Sequence, residues 1–126
     1  MELGFGECVV SALDTHAAQP GVQQQGLVVA ANLSSGSEQR KNRLMDLGIG
    51  QALVSALKDH LEHAGVQERG LGVAYNLSNN SEERCEAFVN LGLVQLAITA
   101  MNNHKGDRGV QEEGCSALYV LMQVRA

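Results

Sequence analysis

An all-α solenoid is the fold class that this sequence predicts, and three observations predict it. The first is a stretch that recurs, Val66-Gln67-Glu68-Arg69-Gly70-Leu71-Gly72-Val73-Ala74-Tyr75-Asn76-Leu77-Ser78. It stands upstream from Val22-Gln23-Gln24-Gln25-Gly26 to Asn32-Leu33-Ser34, and downstream, more loosely, from Val110-Gln111-Glu112-Glu113-Gly114 to Tyr119-Val120-Leu121. The offset is 44 residues both times (22 to 66, 66 to 110), without insertion or deletion. The second is that other marks keep the same beat: Leu3-Gly4, Leu47-Gly48 and Leu91-Gly92; His16, His60 and His104; Ser37-Glu38 and Ser81-Glu82. The third is composition. Hydrophobic residues make up 44% but aromatics only 3%, with one proline, and no run alternates as a half-buried strand would. A core of Leu, Val, Ala and Gly implies closely packed helices.

The repeat divides residues 1–126 into one domain of three units. The first, 1–36, is partial. It opens inside the Leu-Gly signal and supplies only a second helix over Leu3–Thr15 and a third over Gly21–Ser34. The second unit, 37–80, is complete. Ser37 is an N-cap and Glu38 a favourable first-turn charge. A first helix runs to about Leu47, with Leu44, Met45 and Leu47 inward, and Gly48 stops it in the left-handed conformation a helix C-terminus needs. The second helix runs from Ile49 to about Leu61 with Ala52, Leu53, Ala56 and Leu57 as its apolar stripe. Ala64-Gly65 breaks the chain before a third helix, Val66 to Ser78, packed through Val66, Gly70, Val73, Ala74 and Leu77. The third unit, 81–126, repeats the plan: Ser81 caps Glu82 to about Leu91, then Leu93 to about Asn103, then Gly109 to about Val124. Gly26, Gly70 and Gly114 interrupt helices at a cost of about 1 kcal/mol relative to alanine. The expected reason is a crossing too close for a side chain.

Short helix, glycine, helix, break and a longer helix ending in Asn-Leu-Ser resembles the armadillo repeat, and the period lies in the armadillo and HEAT range. The matching marks are Leu47-Gly48-Ile49 through Ser55-Ala56-Leu57, and Val66-Gln67-Glu68 through Ala74-Tyr75-Asn76-Leu77-Ser78. Three helices per unit fit this pattern better than the two of HEAT repeats. The resemblance implies a right-handed α-solenoid whose third helices line a concave groove for an extended peptide or partner protein. In groove-binding members a late asparagine of the third helix holds the peptide backbone; Asn32 and Asn76 match that position, and Val120 departs from it. Those members carry tryptophan one turn earlier, where this tryptophan-free sequence has Val28, Gly72 and Ser116, so the aromatic walls are missing.

An asparagine amide is both donor and acceptor and can grip an extended backbone. Gln25, Arg69 and Glu113 lie two turns earlier and would set charge preference; Asn79 follows at the helix end. The competing reading is that Asn32 and Asn76 help to end their helices. A second function class is a structural repeat segment that stacks on itself or on neighbouring repeats. Without polar caps, Leu3, Phe5 and Val9 on one side and Leu118, Leu121 and Met122 on the other predict a homo-oligomer, most simply a symmetric dimer.

Other chemistries find little support. A net charge of −5 without basic runs argues against nucleic acid and anionic membrane surfaces, and the apolar runs are too short to cross a bilayer. The start of the chain lacks a secretory signal. Together with three scattered cysteines that form neither a disulfide framework nor a metal motif, this predicts an intracellular setting, cytoplasmic or nuclear. Cys115 and Cys8 align with apolar positions and are expected to be buried; Cys85 aligns with Lys41 and is expected at the surface. His16, His60 and His104 recur at helix–helix spacing, too far apart for one zinc ion, and suit the carbonyl-rich ends of second helices. No nucleophile–base pattern or phosphate loop is present, so no enzyme, metal or cofactor is expected.

Overall fold

The computed structural model describes residues 4–124, which form eight helices and no strand. They are α1 (Phe5–Thr15), α2 (Pro20–Ser34), α3 (Glu38–Asp46), α4 (Ile49–Asp59), α5 (Ala64–Ser78), α6 (Glu82–Asn90), α7 (Leu93–Asn103) and α8 (Arg108–Leu121). Local chemistry sets each boundary. Gly4, Gly48 and Gly92 have φ of +73°, +96° and +89°, a region that costs residues with a Cβ 1–2 kcal/mol as an order of magnitude. Each stands immediately before a second helix, and across Leu91-Gly92 the chain bends by 71° from α6 to α7. The Ser37 and Ser81 hydroxyls accept the Arg40 and Arg84 N–H groups. His63 Nδ1 and Asp107 Oδ1 accept those of Val66 and Val110, and Pro20 opens α2 where its missing N–H is harmless.

The helices form two layers. The third helices α2, α5 and α8 lie side by side and make the most extensive contacts of the molecule, while α1, α4 and α7 stack behind them, each against its own third helix. The first helices bridge: α3 touches α2 and α4, and α6 touches α5, α7 and α8. One continuous core of Leu, Val, Ala and Ile with the single large ring of Phe88 runs through all units.

The recurring mid-helix glycines have the anticipated cause. A Cβ at Gly26 would lie 2.8 Å from Leu13 Cδ2, one at Gly70 2.8 Å from Leu57 Cδ2, and one at Gly114 2.5 Å from Met101 Cγ. In each unit a second-helix side chain occupies the notch.

Several details differ from the sequence expectation. Ala64 and Gly65 form the first turn of α5 rather than a break, and Asp59 and Leu121 end α4 and α8 two and three residues early. Leu47 and Leu91 are C-caps beyond α3 and α6. Cys85 is buried, its Sγ 3.2 Å from Ser78 O, because that position of a first helix faces the third-helix layer; the aligned Lys41 side chain is itself only 11% exposed. Cys115 is exposed. Its counterparts Leu27 and Leu71 are fully buried, each in a unit with another stacked on the following side. Cys8 is exposed as well, although its counterpart Ala52, which has a unit before it, is buried.

Gly70→Leu should lower unfolding stability by about 1–3 kcal/mol through overpacking of the Leu57 notch. A Cβ added at Gly21 would meet no atom within 4 Å, and Gly21→Ala should leave stability unchanged or raise it by up to about 1 kcal/mol. Urea unfolding followed by far-ultraviolet circular dichroism distinguishes the two.

Candidate interaction face of the third helices

Most polar marks of the repeat are consumed inside the array. Gln67 is fully buried, and its Nε2 donates to Leu57 O at 3.1 Å and His60 O at 2.9 Å. Gln23 does the same to Leu13 O and His16 O, both at 3.0 Å; Gln111 to Met101 O and His104 O, both at 2.9 Å. One amide per unit thus satisfies the carbonyl left over at the end of a second helix and adds a second bond to the C-cap carbonyl, which already accepts a backbone N–H. His60 Nε2 lies 2.7 Å from Ala17 O and His104 Nε2 2.8 Å from Leu61 O. A carbonyl only accepts, so both rings carry a proton on Nε2, and each links its unit to the preceding one. The histidines do sit at second-helix ends, as C-caps, but this cross-unit bond goes beyond a dipole effect.

Asn76 belongs partly to the same framework. Its Nδ2 donates to Ala31 O at 3.1 Å and to Ser34 Oγ at 3.3 Å, which leaves only Oδ1 for a ligand. Asn32 is exposed and keeps the full amide at the surface. Val120 stands where a third asparagine would, and it is buried; Ser78 Oγ, the counterpart of Ser34 Oγ, accordingly has no hydrogen-bond partner among the described residues. Asn79 is the C-cap of α5 and lines a cleft of about 390 Å³ between the α5–α6 turn and the end of α8.

Sequence reasoning missed Arg84. It is 4% exposed, donating from Nε to Leu77 O, to Asn42 Oδ1 at 2.8 Å and to Glu38 Oε1 at 2.6 Å. The guanidinium holds the Glu38 carboxyl below its ordinary range.

The remaining candidates form rows across α2, α5 and α8. Gln25 and Arg69 are exposed and Glu113 is half-buried, while Val28, Gly72 and Ser116 are all half-buried. Adjacent rows meet where Gly72 leaves room: a Cβ there would lie 3.4 Å from Glu113 Oε1. Burial, then the charges of Glu68 and Glu112, push the Glu113 carboxyl above its ordinary range, against the opposing pull of Arg69. The face is therefore acidic over α8 and carries one cation over α5. Of the residues expected at an oligomer interface, Phe5 and Met122 are exposed and Leu118 half-buried. Val9 and Leu121 belong to the chain's own core, and Leu3 lies outside the described residues.

Among the described residues no three His, Cys, Asp or Glu side chains converge as a metal site requires, and no single helix is long and apolar enough to cross a membrane. No protein-family model matches the chain, and no curated protein or solved structure matches it significantly.

The raised Glu113 value has a testable sign. The folded state keeps the Glu113 proton to higher pH than the unfolded chain, whose carboxyl titrates near 4.3 as a rough reference. Its stabilising contribution is complete below that value and is lost as pH rises through the folded value. Glu113→Gln should therefore gain stability relative to the parent on going from about pH 3.5 to pH 7. Thermal melts at the two pH values measure that change in the difference between the proteins.

Proposed function

We propose that this chain is a non-catalytic protein-interaction module of the armadillo type, a right-handed solenoid holding an extended segment of a partner protein across α2, α5 and α8. The observation that supports it is the division of labour among repeated polar residues. Gln23, Gln67, Gln111, His60 and His104 are spent on bonds within the array. Gln25, Arg69, Glu113, Val28, Gly72 and Ser116 stay at or near the surface at matching helical positions and differ chemically from unit to unit. A scaffold alone has no need of that variation; a binding face does.

The chemistry of the segment follows from the face. An extended chain advances about 6.6–6.8 Å per two residues, so successive residue pairs can address successive helices. Asn32 grips backbone N–H and C=O, and Asn76 receives an N–H at Oδ1. Arg69 favours an acidic or amide side chain, and the Glu68–Glu112–Glu113 surface a lysine or arginine. With no tryptophan, affinity rests on polar contacts rather than aromatic pockets.

A second reading, a structural segment that stacks on itself or on neighbouring repeats, is favoured by one observation: positions that internal units bury are open on α1–α2 and on α7–α8.

The face reading is tested by selecting extended peptides from a displayed random library and measuring their binding to variants. Arg69→Gln and Ser116→Arg should each weaken selected peptides by about tenfold or more, equivalent to about 1.4 kcal/mol. Lys58→Glu, exposed on α4 in the other layer, should not. Peptides indifferent to Arg69 and Ser116, or no selectable peptide, would remove the face reading.

A further inference from the structure

We infer that the α1–α2 face is a docking site for the α7–α8 face of a second copy of this chain, joined head to tail in the register of the internal repeat. This rests on the stacking reading, not on the peptide face. The symmetric dimer suggested by the sequence is replaced by a directional contact.

The proposed contact continues an interface the molecule already makes twice, between its first and second units and between its second and third. That interface has a socket side and a plug side. The socket on the second unit includes Ala52, Ala56, Val66, Gly70 and Val73, all buried beneath the unit before. The same positions on the first unit are Cys8, Ala12, Val22, Gly26 and Val29, and they line an open groove of about 370 Å³. Val73 is 0% exposed and Val29 41%. The plug side repeats the pattern. Leu71 and Ala74 are buried in the middle unit, whereas their counterparts Cys115 and Leu118 are exposed and half-buried. Val54 is 5% exposed and its counterpart Ile98 39%.

The specific contacts carry over by the same translation. Leu27 reaches to 3.8 Å from where a Gly70 Cβ would be, so Cys115 of one copy enters the groove beside Gly26 of the next. Gln24 lies over Gly65 and Glu68 over Gly109, each so closely that a Cβ would collide. Glu112 accordingly comes over Gly21, which has open space above it. His16, exposed here, takes the role of His60 and His104 and donates from Nε2 to Lys105 O. Asn32 takes that of Asn76 and donates to Tyr119 O, displacing the exposed Gln123 amide that now occupies it. Such a contact does not close on itself and propagates into linear stacks.

The test uses two blocked variants of the full chain. Gly21→Trp fills the space needed by Glu112 from a position where an added Cβ meets no atom of the monomer within 4 Å; Cys115→Lys places a charge on the plug, and Ile98→Lys is the second plug variant should the first fold poorly. Light scattering over rising concentration should show the parent growing beyond twice its 13.4 kDa mass, and each folded variant alone as monomer. Mixed, the two variants should form a one-to-one dimer that grows no further, since one retains its plug and the other its socket. If one variant alone still dimerises, self-stacking stands but its head-to-tail register is overturned. If the parent stays monomeric and the mixture forms nothing, both this inference and the stacking reading fall, and the faces belong to another occupant.

Discussion

One buried amide, used three times, holds the architecture together. Each second helix ends with a carbonyl, that of Leu13, Leu57 or Met101, that no backbone N–H of the described residues reaches. Each third helix begins with a glutamine that donates to it and to the neighbouring C-cap carbonyl, which also accepts a backbone N–H. Burying that carbonyl unpaired would cost about 1–3 kcal/mol. The bond therefore fixes the angle between the two helices of a unit as well as stabilising it. With that angle fixed, the glycine one turn further along meets the second helix at Leu13, Leu57 or Met101, and the rest of the unit follows.

The second constraint acts between units. The histidine that caps each later second helix bonds to a carbonyl of the unit before, Asn76 and Arg84 do likewise from α5 and α6, and the third helices share their longest contact. Stability in such an array is a sum of units and nearest-neighbour interfaces. Residues at one repeat position thus have different environments depending on which neighbours they have. That difference separates Leu71 from Cys115 and Val73 from Val29, and it is the physical basis for reading the molecule as a device that joins other chains.

Much of this was legible in the sequence. The 44-residue spacing, the serine caps and the recurring glycines announced the eight helices of the described residues, and the apolar stripes announced most of the packed positions in the second unit. What escaped is of two kinds. Polar residues that point inward, Gln67 and Arg84, look like solvated surface because polarity alone does not reveal a buried carbonyl or carboxylate waiting for them. Alignment between units also assigned Cys8 and Cys115 to the core and Cys85 to the surface. Periodicity transfers a residue's position but not the presence of its neighbouring unit, and it treats the stem of Lys41 as exposed when it is mostly covered. For the candidate face, the row of Gln25, Arg69 and Glu113 was legible, but the diversion of the Asn76 amide to Ala31 O depends on a contact between units that no single stretch displays.

The most direct measurement of the central claim is the unfolding free energy of Gln67→Met, a replacement of similar length that removes the amide from the middle unit. The expected loss is about 1–3 kcal/mol, the cost of one stranded carbonyl, Leu57 O, since His60 O keeps the His63 N–H, with helical signal and tertiary signal lost together. A variant as stable as the parent would contradict it, and would mean that the helix angle is set by apolar packing alone.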